Sequence, residues 1–129
     1  MKQTIDNSKP IFRQIKEQIE DMIMNDTISE TGRVPSTNEF AKYHKINPAT
    51  AAKGINQLVE EGIIYKKRGV GMFVADGARE TLIAERKEKF KEEYVKPMVN
   101  EMYVLGLNEK ELNQLIERVK EDEYGQRRV

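Results

Sequence analysis

Cysteine is absent from the 129 residues. That excludes disulfide bridges, thiolate nucleophiles and cysteine-held zinc. Histidine occurs once, at His44, so no histidine cluster can hold a metal or form a catalytic pair, and His44 reads as a turn residue. A glycine loop of the phosphate-cradling kind is missing too, and with it the usual supports for an enzyme. No apolar run approaches the roughly 20 residues that cross a bilayer. Met1 to Asp6 does not lead into the apolar core of a signal peptide. The expectation is a cytosolic protein that is not an enzyme, with no cofactor, no metal and no membrane partner. There is no internal repeat or low-complexity tract.

Net charge is also missing, with 22 Lys plus Arg against 22 Asp plus Glu, but the balance is local. Between Arg33 and Val74 seven cations (Arg33, Lys42, Lys45, Lys53, Lys66, Lys67, Arg68) face three acids (Glu39, Glu60, Glu61). That segment is therefore 7 − 3 = +4, and the remainder −4. A basic block between acidic ones suggests a surface that faces a polyanion.

What is present is helical periodicity with clear punctuation. Asn7 or Ser8 can cap a first helix with Pro10 in its first turn. Ile11, Phe12, Ile15, Ile19, Met22 and Ile23 then form one apolar stripe that should stop near Asn25-Asp26. Thr27 to Pro35 reads as a loop. Ser36-Thr37-Asn38-Glu39 fits a capping box, opening a short helix that buries Phe40, Ala41 and Tyr43. After the tight His44-Lys45-Ile46 connection, Asn47 caps another helix with Pro48 in its first turn. Ala51, Ala52, Ile55, Leu58 and Val59 form its inner face, and Gly62 suits a left-handed C-terminal cap. Two short helices so closely joined describe a helix-turn-helix. The runs Ile63–Lys66 and Met72–Ala75, separated by a glycine-bearing turn, predict a hairpin whose tip carries the Lys66-Lys67-Arg68 cluster. Asp76-Gly77 breaks the pattern. Residues 78–105 read as helix, interrupted at Pro97, which should kink or divide it. Gly106 ends that run. Asn108 to Glu111 opens a last helix along Leu112, Leu115, Ile116 and Val119, and the residues from Glu123 onward should fray.

From Gly32 to Val74 the chain resembles the winged-helix DNA-binding domain of the GntR family of bacterial transcription regulators. The residues that carry the resemblance are Val34-Pro35-Ser36, Phe40-Ala41, Ile46-Asn47, Thr50, Leu58, Glu61-Gly62, Ile64, Arg68, Gly69, Gly71 and Phe73-Val74, with the family's spacing intact. Asn47-Pro48-Ala49-Thr50 and the motif from Leu105 to Leu112 look like the YtrA-type subfamily, whose members carry a compact helical dimerisation region.

The resemblance implies a double-stranded DNA operator as partner. Asn47, Ala49, Thr50 and Lys53 would stand on the leading turns of a major-groove helix. Ser36, Thr37 and Asn38 lie at a helix start suited to a phosphate. Lys67, Arg68 and Gly69 form the wing, with Arg68 entering the minor groove and Gly69 letting the backbone come close. The chain departs from the family at Asn38, Pro48 and Ala52, where relatives often have arginine or glutamine, and at Met72, usually threonine. These departures predict weaker affinity or an altered recognition code.

The expected architecture is mainly α with a small β-hairpin wing. A winged helix-turn-helix domain over 8–77 precedes a helical dimerisation arm over 78–125. Phe90, Tyr94, Met98, Met102, Leu105, Leu112, Leu115 and Ile116 are expected to form a homodimer core; no specific feature supports a small-molecule effector site there. The expected function is a dimeric repressor on a pseudo-palindromic operator. The subfamily resemblance implies that the operon includes its own gene and transporter components, in a bacterial cytoplasm and at the nucleoid when bound. A winged-helix module for protein contact, with DNA binding lost, is the alternative that the missing arginines keep open.

Overall fold

The computed structural model describes Ile5 and residues 8–125. The chain divides between Glu85 and Arg86 into two compact units. In the first, helices α1 (Ile11–Met24), α2 (Thr37–His44) and α3 (Pro48–Glu60) accompany strands β1 (Arg33–Val34), β2 (Ile64–Lys67) and β3 (Gly71–Val74). The strands form one antiparallel sheet in the order β1-β3-β2.

The core of this unit follows from the predicted stripes. Ile15, Ile19 and Ile23 of α1 meet Phe40, Ala41, Ala51, Ile55 and Leu58 of α2 and α3, closed below by Val34, Ile64, Met72 and Val74 of the sheet. Gly54 marks the closest approach of α1 and α3: a Cβ there would lie 2.4 Å from the Phe12 carbonyl oxygen. At the end of α3, Gly62 takes φ +76°. The Gly62 N–H bonds to the Val59 carbonyl and the Ile63 N–H to that of Leu58, the Schellman pattern that closes a helix into a strand.

Four local expectations are corrected. Pro10 occupies the N-cap position of α1 and makes no side-chain cap; of the two expected caps, Asn7 lies outside the described residues and Ser8 stands two residues too early. Tyr43 is not buried but 67% exposed, because it points away from the face that Phe40 and Ala41 share. The segment from Thr27 to Pro35 contains a strand, β1, which pairs Arg33 with Phe73 and Val34 with Met72. The hairpin strands run one residue later and one earlier than expected, with Lys67 opposite Gly71.

Helix α4 (Ala78–Phe90) begins in the first unit. Ala78 and Leu82 are buried in its core, and Arg79 Nε donates to the Met24 carbonyl at 2.9 Å, satisfying an orphan acceptor at the end of α1. The division after Glu85 thus falls two turns beyond the Gly77 boundary. In the second unit a π-helical turn (Lys91–Val95) precedes α5 (Lys96–Leu105), with Pro97 in its first turn. The wider turn removes the clash that a proline ring makes with the carbonyl four residues earlier. Gly106 at φ +68° closes α5, and α6 (Glu109–Tyr124) opens on a complete Asn108–Glu111 capping box.

Candidate nucleic-acid interface

The helix-turn-helix is held by its caps. Ser36 Oγ accepts the Glu39 N–H at 3.1 Å, and Glu39 Oε1 accepts the Ser36 N–H at 2.9 Å. Those bonds to Ser36 hold the Glu39 carboxyl below its usual range, with a smaller contribution from the Arg33 charge. The amides of Thr37 and Asn38 are left as the donors of this turn without an intrahelical acceptor. Lys45 closes α2 in the left-handed region at φ 56°, and the Ile46 N–H returns to the Ala41 carbonyl. His44 stacks on Phe40 with centroids 5.9 Å apart, and burial lowers its pKa.

At the start of α3 Asn47 Oδ1 accepts the Ala49 N–H at 2.7 Å, so the cap uses the side-chain oxygen and leaves the amide NH₂ to donate outward. Asn47, Pro48, Ala49 and Lys53 are exposed and Thr50 half-buried. Lys53 Nζ lies over the Phe12 ring, 4.1 Å from its centroid, a contact worth about 0.5–1 kcal/mol at an exposed site. The Lys53 side chain is thus steered by α1. Ala52 is half-buried, and Met72 is buried in the core. The Met72 departure therefore changes packing beneath the wing, not the wing's outer face.

The wing turn runs Lys67-Arg68-Gly69-Val70, closed by a 2.9 Å bond from the Val70 N–H to the Lys67 carbonyl. Gly69 occupies the third position at φ +75°, the sign that a type II turn requires there and that glycine tolerates without strain. Arg68, Gly69 and Val70 are all exposed. Lys67 Nζ lies 5.3 Å from the Phe73 ring centroid. Among the described residues Arg33, Lys53, Lys66, Lys67 and Arg68 form no salt bridge, whereas Lys9, Lys16, Lys91, Lys96 and Lys120 do. Arg33 stands on a two-residue strand, which has no period to detect in the sequence.

In the second unit the residues expected to pair two chains lie on the surface of the single chain. Phe90, Tyr94 and Leu105 are 55%, 64% and 60% exposed, and Met98, Leu115 and Ile116 are exposed as well. Met102 and Leu112 are half-buried. Among the described residues no group of acidic or histidine side chains is placed to hold a metal ion, and no helix is long and apolar enough to cross a membrane.

A helix-turn-helix followed by a hairpin that completes a three-stranded sheet is a winged helix. Residues 12–74 match the family described as "Bacterial regulatory proteins, gntR family". The chain is 34% identical to a GntR-family protein of Bacteroides thetaiotaomicron of known crystal structure, with a TM-score of 0.70, covering 87% of this chain and 97% of that one. The HTH-type transcriptional repressor YtrA of Bacillus subtilis (strain 168) is 28% identical over 119 residues, 92% of this chain and 91% of the relative. The AraR DNA-binding domain, solved in complex with operator ORX1, is 30% identical with a TM-score of 0.51, over 58% of this chain and 93% of that one. The chain belongs to the GntR family, within its YtrA-like subfamily. It is a transcription regulator with a winged-helix DNA-binding domain, not an enzyme.

Proposed function

We propose that the chain represses transcription as a homodimer on a pseudo-palindromic operator, acting in the cytoplasm and at the nucleoid when bound. The observation that carries this reading is the set of unneutralised cations on the wing, directly following a helix whose leading residues are exposed. Thr50 and Lys53 meet base edges or phosphates, the Thr37 and Asn38 amides meet a phosphate beside Ser36, and Arg68 enters the minor groove. AraR's capture with an operator supports a DNA partner, and the printed role of YtrA supports repression. Pairing is supported by the apolar surface of α5 and α6, too large for one small unit to leave in water. Two-fold association presents two recognition helices about one helical turn apart, roughly 34–36 Å. The operon is proposed to include the chain's own gene and membrane-transporter components, as the subfamily resemblance implies.

Fluorescence anisotropy against a duplex at rising salt tests the reading. Phosphate-driven binding through 6–10 contacts loses about 10³–10⁵ in affinity between 50 and 200 mM salt. No binding even at low salt would refute it and favour the protein-contact reading.

A further inference from the structure

Strand β1 places a cation where the hairpin alone would have none. The register pairs Arg33 with Phe73 and Phe73 with Tyr65, a single cross-strand row. The neighbouring Val34 and Met72, like Ile64 and Val74, are buried in the core. Because side chains alternate across a strand, the row of Arg33, Phe73 and Tyr65 faces outward. The next outward position on β3 is Gly71, opposite Lys67, and the Arg33 side chain extends over it. A Cβ on Gly71 would lie 3.1 Å from Arg33 Nε and 3.7 Å from Nη2. Gly71 also sits at φ +143°, so both its backbone and its missing side chain admit the guanidinium. Toward the other side the Arg33 charge makes a minor contribution to holding the Glu39 carboxyl low. Among the described residues it forms no salt bridge.

We propose that Arg33 is a further DNA contact, a phosphate ligand at the root of the wing, and that Gly71 is the positioning residue that makes room for it. The inference rests on the DNA-binding reading above. A phosphate fits better than a base edge because the guanidinium lies along the sheet and not at the hairpin tip, and its planar fork matches phosphate oxygens. Packing alone does not account for it, since the β1–β3 pairing is made by backbone groups.

The test is the salt dependence of binding to a random-sequence duplex by fluorescence anisotropy, with the full chain and its Arg33→Ala, Arg33→Lys and Gly71→Ala variants. Arg33→Ala is expected to weaken binding about three- to tenfold and to flatten log K against log salt by about 0.9 per bound chain. Its thermal midpoint should stay near the parent's. Arg33→Lys should keep most of the slope while losing part of the affinity, and it reads the same contact should the alanine variant unfold. Gly71→Ala should flatten the slope as Arg33→Ala does and change it no further in the Arg33→Ala background. An Arg33→Ala chain with the parental slope and affinity overturns the contact and leaves the DNA-binding reading intact. An Arg33→Lys chain with the alanine slope overturns it as well, since charge would not be what the site uses. A parent chain that binds no duplex at low salt overturns both.

Discussion

Arg68 stands at the exposed turn of the wing beside Gly69, where nothing shields its charge and no larger neighbour keeps it from a narrow groove. Arg68→Ala is expected to weaken operator binding by about 1–3 kcal/mol; equal affinity of variant and parent would remove the wing tip from the interface. Two titrating residues share the helix-turn-helix. The bonds to Ser36 depress the Glu39 pKa, and burial depresses that of His44. For both, the unfolded chain binds the proton more readily, so stability falls as pH drops, first through the ordinary histidine range and then through the carboxylate range. The thermal midpoint should therefore decline from about pH 7.5 to about pH 4. His44→Gln should flatten the upper part of that decline, and a midpoint that rises on acidification would contradict the assignment. Single residues were legible where their role is local: Ser36, Glu39, Asn47 and Gly69 act within a turn that their own types specify. Lys53 and Arg33 were not, because what each meets is decided by another element.

At the scale of elements, capping carries much of the legibility. Both capping boxes, the Schellman end of α3 and the hairpin can be read from residues within about one turn of each other. Strand β1 cannot, because its two residues become a strand only by pairing with β3. Gly54 shows the same limit. Within the sequence it looks like a weak point in a helix, but the structure makes it the place where α3 meets the α1 backbone. Gly54→Ala adds helix propensity of about 1 kcal/mol. Its Cβ, however, would stand 2.4 Å from a carbonyl oxygen that cannot rotate aside, so the helices must separate. The overpacking should prevail, with a net loss of about 1–2 kcal/mol in chemical denaturation; a more stable variant would contradict the packing. The π-helical turn ahead of Pro97 was foreseen only as an interruption, because the sequence marks the clash and not the geometry that relieves it.

For the whole molecule, the first unit is the part whose fold could be anticipated, since its motif is dense and its core closes within one chain. The boundary was less legible: Ala78 and Leu82 follow the Asp76-Gly77 break yet pack into the first core, so the division lies at Glu85. A chain ending after Glu85 retains those contacts. It should sediment as a monomer and bind a selected operator about 10²–10⁴ more weakly through lost bivalency, and a truncated chain that remains a dimer would refute the pairing role of α5 and α6. In the proposed complex the α3 and wing surface grips a duplex, and a paired molecule presents it twice. Hydroxyl-radical footprinting of the full chain on a fragment selected from the source genome tests this most directly. Two related protected half-sites are expected, with centres about 10–10.5 base pairs, or a small multiple of that, apart. A single unpaired footprint, or none at a salt concentration where other winged helices bind, would contradict it.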